Sequence, residues 1–130
     1  MIVGLTIRNY KGIREIANLP LADFHVLVGP NSAGKSTFLD AIDFVRDCLT
    51  QGPIAAVESR HIADFNDLTW MRQGGIVEVE LWLELTRQIP GSSGSLLNYR
   101  LAIRQDAKLG VCIGDEHLWQ YSKAWLPAGK

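Results

Sequence analysis

Two glycines, a lysine and a serine stand at a spacing that suits phosphate binding. Gly29, Gly34, Lys35 and Ser36 fit the pattern G-x-x-x-x-G-K-[ST]. Glycines let the backbone wrap so that successive N–H groups point at phosphate oxygens. In such a loop the lysine supplies a charge for the β- and γ-phosphates of a nucleotide, and the serine hydroxyl binds Mg²⁺. The pattern therefore predicts a nucleotide-phosphate site with Mg²⁺ on Ser36.

The predicted site is one continuous loop between two regular elements. Its residues are Gly29, Pro30, Asn31, Ser32, Ala33, Gly34, Lys35, Ser36 and Thr37. The apolar run Phe24–Val28 before it predicts a strand buried on both faces. Apolar residues at 38, 39, 42, 45 and 49 predict an amphipathic helix over Lys35–Leu49, closed by Gly52-Pro53. The start of that helix would turn free N–H groups and a positive dipole end towards the phosphate, which favours a phosphate site over a chance glycine-rich turn.

Alternating apolar residues predict strands elsewhere in the chain. Residues 1–8 alternate, and the polar turn Asn9–Gly12 leads to Ile13–Leu19, a short second strand or an irregular segment. Residues 54–75 indicate a loop with a short helix. Ile76–Leu85 predicts a half-exposed strand with Glu78, Glu80, Trp82 and Glu84 on the exposed side. Residues 98–105 and 109–113 predict a hairpin that turns at Asp106-Ala107-Lys108.

The composition fits one folded domain of 130 residues, with 47% apolar and 21% charged residues. A net charge of −1 gives no global basic field of the kind that a free-standing nucleic-acid binder needs. Cys48 and Cys112 have no metal-ligand spacing, and the N-terminus has the pattern of a strand and not of a signal peptide, so we expect a reducing cytoplasm and no membrane. The four tryptophans have no spacing that builds a stacking platform for bases, so we assign them to packing.

The sequence around the loop resembles the ATP-binding heads of one group of proteins. LTIRNYKGI, followed by FHVLVGPNSAGKSTFLDAIDFV, is similar to the heads of the structural-maintenance-of-chromosomes, RecF-like and OLD-like ATPases, within the ABC-type ATPases. Asn9-Tyr10-Lys11, Gly29-Pro30-Asn31 and Ala41-Ile42 carry the likeness. Asn31 distinguishes this group from kinases and G proteins.

This resemblance implies an α/β fold, the N-terminal lobe of a P-loop ATPase. The lobe would combine a partly parallel core sheet, an antiparallel β subdomain and the P-loop helix. Residues 1–130 would form this single lobe, with strands, P-loop and helix in 1–50 and the antiparallel segment in 76–118, and the C-terminal lobe would be absent. The implied ligands are ATP and Mg²⁺, and the implied partner is a second copy or a completing protein, with DNA as a further candidate.

Four residues outside the loop are weaker site candidates. By the resemblance, Lys11 and Arg60 would approach the nucleotide or DNA; the alternatives are a solvated turn lysine and a surface Arg60-His61 pair. Asp115 and Glu116 are candidate catalytic carboxylates, because Val111–His117 resembles the Mg²⁺-holding strand end of these ATPases. Gly114 interrupts that strand pattern, however, so we favour a hairpin that carries surface carboxylates.

Two functions therefore stay open. The first is an ATP·Mg²⁺-binding lobe, acting in DNA repair or phage defence, that hydrolyses ATP only with a C-terminal lobe and dimerisation. The second is a non-catalytic, nucleotide-responsive binding module that docks on a partner protein or on DNA. A small nucleotide kinase is disfavoured, because the sequence offers no arginine-rich lid and no acceptor-nucleotide site.

Overall fold

A computed structural model describes residues 2–20, 32–84 and 96–121. Its strands and longer helices are, in chain order, β1 Ile2–Tyr10, β2 Ile13–Pro20, α1 Ser32–Gln51, α2 Pro53–Glu58, β3 Val77–Glu84, β4 Leu96–Asp106 and β5 Gly110–Tyr121. Two short 3₁₀ helices, Phe65–Leu68 and Trp70–Arg72, lie between α2 and β3. Within these ranges no helix is long and apolar enough to cross a membrane.

The five strands form one sheet in the order β2-β1-β3-β4-β5, and every neighbouring pair is antiparallel. The hairpins β1–β2 and β4–β5 close through short turns, which only antiparallel neighbours allow. The expected α/β fold with a partly parallel core sheet is therefore wrong: helix α1 packs on an antiparallel sheet. The predicted strand Phe24–Val28, on which the parallel core depended, lies outside the described residues.

Helix α1 covers one face of this sheet with the apolar stripe that the sequence predicts. Its buried residues are Phe38, Ala41, Phe44, Val45 and Cys48. They join apolar side chains of β1, β3 and β4 in one core, and the rings of Tyr10 and Phe44 lie 5.5 Å apart. The helix ends at Gln51, as predicted, because Gly52 adopts a left-handed φ of 92° and Pro53 begins α2.

The predicted hairpin at the C-terminal side is confirmed, and Gly114 has a definite place in it. Ala102 pairs with Asp115 while Ile103 pairs with Ile113, so Gly114 is the extra residue of a β-bulge. A Cβ at this position would lie 3.1 Å from the Arg104 side chain. The sequence signal that looked like a strand interruption is thus a bulge within β5.

The exposed side predicted for β3 is partly wrong. Trp82 is only 5% exposed, and Leu96 and Asn98 on the neighbouring strand are also buried. Trp82 lies opposite Asn98, which lies opposite Trp119, so these three residues share the sheet face that α1 does not cover. Trp119 itself is 55% exposed, and the packing role predicted for it is wrong.

Candidate functional site

The structure describes only part of the predicted phosphate loop. Gly29, Pro30 and Asn31 lie outside the described residues. The backbone of Ser32, Ala33, Gly34, Lys35 and Ser36 forms the start of α1, and Thr37 follows in the same helix. The first N–H groups of an α-helix have no partner within the helix, and they carry the positive end of its dipole. The N-terminus of α1 is thus the part of the described chain at which a bound anion would be favoured.

The carboxylate of Asp40 on α1 pairs with both Lys11 and Arg60, the two basic residues that the sequence analysis named as candidates. Asp40 stands four residues after Ser36, one turn further along the same face of the helix. Its Oδ2 lies 2.7 Å from Lys11 Nζ, and its Oδ1 lies 3.1 Å from Arg60 Nη2. The Tyr10 hydroxyl donates a third hydrogen bond to the same carboxylate. We call Tyr10, Lys11, Asp40, Asp47 and Arg60 the Asp40 cluster.

The side chain of Arg60 is largely enclosed in this cluster and does not lie on the surface. Its side chain is 9% exposed. Its Nη1 lies 3.0 Å from Asp47 Oδ2 and donates to the Ala56 carbonyl at 2.7 Å. The guanidinium also stands over the Phe44 ring, 5.1 Å from its centroid. The surface interpretation of Arg60 is therefore wrong, because its side chain joins α1 to the segment after α2.

Lys11 is held differently, with a fixed backbone and a more accessible side chain. It sits in the β1–β2 turn with a φ of 50°, and its N–H donates to the Leu68 carbonyl at 2.7 Å. The side chain is 33% exposed. If its ammonium group left Asp40, the carboxylate would keep the hydrogen bonds from Tyr10 and Arg60. Lys11 is therefore the member of the cluster whose side chain can move away without leaving the Asp40 carboxylate unpaired.

Asn9 fixes the turn that carries Lys11. Its amide donates to the carbonyls of Gly74 and Ile76 at 2.9 and 3.0 Å. Its carbonyl oxygen accepts hydrogen bonds from Trp70 N–H at 3.1 Å and from Gln73 Nε2 at 2.8 Å. The side chain is thus fully bonded to the segment that leads into β3, and it positions Lys11 through the backbone.

The hydrogen bonds of the cluster determine its protonation. Burial alone would raise the pKa of the Asp40 carboxyl, but the hydrogen bonds from Lys11, Tyr10 and Arg60 outweigh it and hold the pKa below its ordinary value. Burial, followed by the hydrogen bond to Asp40, raises the pKa of the Tyr10 hydroxyl far above its ordinary range. Burial tends to lower the pKa of Arg60, and Asp40 more than reverses that tendency. The cluster therefore holds a carboxylate anion at neutral pH.

The lowered pKa of Asp40 predicts a dependence of stability on pH. A carboxyl whose pKa is depressed by folding stabilises the protein above its unfolded pKa, about 4, and this stabilisation is lost as pH falls through the lower folded value. We expect Asp40→Asn to lower the free energy of unfolding by about 1 to 2 kcal/mol at pH 7. Urea unfolding of wild type and variant should show this gap closing below about pH 4. Asp43→Asn, at a half-exposed carboxylate of the same helix, is the control, and a gap for Asp40→Asn that stays constant with pH would contradict the assignment.

The candidate catalytic carboxylates lie on opposite faces of β5. Asp115 faces away from α1 and lies 3.3 Å from Arg100 Nη2 and 3.1 Å from His117 Nε2. Glu116 points to the other face and accepts a hydrogen bond of 2.5 Å from the Tyr99 hydroxyl. Because consecutive strand residues point apart, these two carboxylates do not converge on one ion. Among the described residues no group of three or more His, Cys, Asp or Glu side chains is placed to hold a metal.

Tyr10, Asp40 and Asp47 are the members of the Asp40 cluster that the sequence analysis did not name as site candidates. The sequence carried one signal for Asp40, which is a charged residue between the apolar positions 39 and 42 of the predicted helix. Its partners stand 29 and 20 residues away along the chain, so no local pattern could reveal them.

Comparison with known proteins places the chain among ATPases. A family model described as AAA ATPase domain matches residues 1–66. The OLD nuclease of Thermus scotoductus is 44% identical over 45 residues, which are 35% of this chain and 8% of that protein. Structural maintenance of chromosomes protein 1 of Schizosaccharomyces pombe is 32% identical over 78 residues, 59% of this chain and 6% of that protein. No solved structure matches the chain.

These matches confirm the resemblance that the sequence indicated, to heads of the chromosome-maintenance and OLD-like groups. The chain spans less than a tenth of the length of either relative. The matched region contains β1, β2, α1, α2 and the whole Asp40 cluster. Because the family model covers half of its residues, this chain belongs to the AAA ATPase domain family.

Proposed function

We propose that this chain is the ATP·Mg²⁺-binding lobe of an OLD-like or chromosome-maintenance-like ATPase. Membership of the family gives it an ATPase-type, nucleotide-binding function. The observation that carries the finer proposal is the Asp40 cluster, which holds two cations one helical turn beyond the phosphate loop. Gly29 to Thr37 would wrap the phosphates, Lys35 would bind the β- and γ-phosphates, and Ser36 would bind Mg²⁺.

Lys11 is proposed as an additional cation for the bound phosphates. Its ammonium group sits on Asp40 in the structure described, and Asp40 belongs to the face of α1 that begins at Ser36. A lysine is a mobile point charge on a flexible stem, so it can exchange a carboxylate for a phosphate. Arg60 is proposed to stay on Asp40 and Asp47 during that exchange, since its guanidinium is buried and bonded on several sides.

Efficient hydrolysis is proposed to need more protein than this lobe. Phosphoryl transfer requires a group that orients the attacking water as well as charge around the phosphates. Asp115 and Glu116 remain candidates for that role, but each is bonded to its own neighbours on a different face of β5. We propose that a C-terminal lobe and a second head supply the missing groups. The proposed setting is DNA repair or phage defence in a reducing cytoplasm. The free thiols of Cys48 and Cys112 accord with a reducing compartment. The relatives named for a nuclease and for chromosome maintenance accord with the proposed role.

Ligand-induced stabilisation tests nucleotide binding. A non-hydrolysable ATP analogue with Mg²⁺, at about 100 times its Kd, should stabilise wild type by about 2.7 kcal/mol in thermal unfolding. Lys35→Ala should gain nothing, because the loop loses its phosphate charge. Lys108→Ala, an exposed lysine in the β4–β5 turn, should respond like wild type. Equal responses of Lys35→Ala and Lys108→Ala would refute the proposed site.

A non-catalytic binding module is the second candidate function. It is favoured by one observation, the separation of Asp115 and Glu116 on opposite faces of β5. Phosphate release from ATP distinguishes the two functions: the first expects release to rise above background when the C-terminal half of the ATPase is added. Nucleotide binding without any such rise would establish the module.

A further inference from the structure

β5 is a long and exposed edge strand of the described sheet. It runs over 12 residues, and its pairing partner is β4 on one side only. Leu118 is 63% exposed and Trp119 is 55% exposed. An edge strand of this length offers backbone N–H and C=O groups for pairing, and natural proteins either protect such an edge or use it to pair with another chain.

The opposite edge of the sheet, β2, is protected in ways that β5 is not. Asn18 has a left-handed φ of 54° within β2, and its N–H donates to Thr6 Oγ1 and not along a regular ladder. Pro20 ends the strand and has no N–H to offer. In β5 the bulge at Gly114 is followed by a regular stretch from Asp115 to Tyr121 that contains no proline. The two edges are therefore unequal, and β5 is the one suited to pairing.

We propose that β5 pairs with β5 of a second copy of this chain, antiparallel and with the two-fold axis at Leu118. Each Leu118 would then face its symmetry mate, His117 would face Trp119 of the second copy, and Glu116 would face Gln120. The two sheets would join into one continuous sheet with α1 of both copies on the same side. This interface is isologous, because the same strand serves both copies.

The charges and the exposed apolar residues favour this register over axes at Glu116 and at Trp119. With the axis at Leu118, the carboxylate of Glu116 lies opposite the side chain of Gln120 of the second copy. The exposed side chains of the two Leu118 residues cover each other. An axis at Glu116 would place two carboxylates directly opposite each other, which is destabilising. An axis at Trp119 would leave fewer residues of β5 paired. Within one chain His117 and Trp119 already lie ring on ring at 6.2 Å, so the second copy extends an existing stack.

This interface is separate from the nucleotide site and does not depend on the proposed function. The Asp40 cluster lies on β1, α1 and the segment after α2, whereas the pairing strand is the last in the sheet. Dimerisation through β5 is therefore expected without ATP or Mg²⁺, and Lys35→Ala should dimerise as wild type does.

Sedimentation equilibrium of the full 130-residue chain tests the interface. Wild type should show a monomer–dimer equilibrium, and Leu118→Lys should be monomeric at the same concentrations, because two opposed ammonium groups would meet at the axis. Leu109→Lys is the matched control, since Leu109 is 69% exposed in the hairpin turn outside β5. Circular dichroism should show both variants folded. A monomeric wild type, or a dimer that Leu118→Lys leaves intact, would overturn the proposal.

Cysteine cross-linking tests the register in a Cys112→Ser background. Opposed residues of antiparallel strands have Cα atoms about 4.5 to 5.5 Å apart, within the range that a disulfide spans. Leu118→Cys should therefore cross-link to itself under mild oxidation. Glu116→Cys and Gln120→Cys should each fail alone, because four residues of strand, about 13 Å, separate like positions, and should cross-link when mixed. Equal self-cross-linking at all three positions would contradict this register.

Discussion

Replacing Arg60 with methionine is expected to lower the free energy of unfolding by about 3 kcal/mol. The change keeps an apolar stem against Phe44 but removes the guanidinium that bonds Asp40, Asp47 and the Ala56 carbonyl. Removing one partner of a largely buried ion pair is costly because it leaves a charge without compensation. Asp47 would be affected most, since its remaining partner, Arg46, lies 3.7 Å away and is largely exposed. Urea unfolding at pH 7 measures the effect.

Arg46→Met is the matched control for this prediction. Arg46 lies on α1 and pairs with Asp43 and Asp47, but its side chain is 67% exposed. Exposed pairs of this kind contribute about 0 to 1 kcal/mol. If both methionine variants lost the same stability, Arg60 would be one more surface arginine, and the Asp40 cluster would have no special role in joining α1 to the segment after α2.

Asn9→Asp is the second change with a large expected effect, about 3 kcal/mol of unfolding free energy. The side chains have nearly the same shape, so packing is preserved. The amide that donates to the Gly74 and Ile76 carbonyls becomes an oxygen that faces them. A buried acceptor opposite two acceptors leaves all of them unsatisfied. Because Asn9 is 9% exposed, water cannot readily replace the lost donors.

Asn18→Asp separates this hydrogen-bonding effect from the effect of the backbone. Both asparagines have a left-handed φ, 62° at Asn9 and 54° at Asn18, and aspartate tolerates that conformation about as well as asparagine. Asn18 is exposed, so its change should cost less than about 0.5 kcal/mol. Chemical denaturation of the two variants beside wild type gives the comparison. Similar losses at both positions would mean that backbone strain, and not the bonds of Asn9, dominates.

Local elements of this chain could be predicted from its sequence because local physics determines them. The apolar stripe of α1 and the glycine-proline stop after it depend only on helical periodicity and backbone geometry. The β4–β5 hairpin follows from alternation and a polar turn. The bounds moved by a few residues at the start of α1, which begins at Ser32 instead of Lys35.

The arrangement of the strands could not be predicted in the same way. The parallel core was inferred from the family resemblance and from the run at Phe24–Val28, whereas the described strands pair only as antiparallel neighbours. Pairing depends on which distant strands meet, and alternation within one strand does not determine it. Trp82 shows the same limit: its place in the pattern predicted exposure, yet it is 5% exposed on the face opposite α1.

The two parts of the candidate site also differ in how far the sequence predicts them. The phosphate loop is a contiguous motif, so the sequence alone predicts it. The Asp40 cluster unites residues from the β1–β2 turn, from α1 and from the segment after α2, and only folding brings their side chains within 2.7 to 3.3 Å of one carboxylate. The family resemblance named Lys11 and Arg60 separately, and it did not indicate that they share a partner.

Equilibrium binding of a fluorescent, non-hydrolysable ATP analogue tests the central claim most directly. Wild type, Lys35→Ala, Lys11→Met and the control Lys108→Ala would be titrated with Mg²⁺ and again with a chelator. We predict saturable, Mg²⁺-dependent binding of the analogue to wild type and to Lys108→Ala. Lys11→Met should bind it about tenfold more weakly, because one charge contact is lost. Lys35→Ala should not bind it. Binding that is equal in wild type and Lys35→Ala, or absent from both, would contradict a phosphate site at the start of α1.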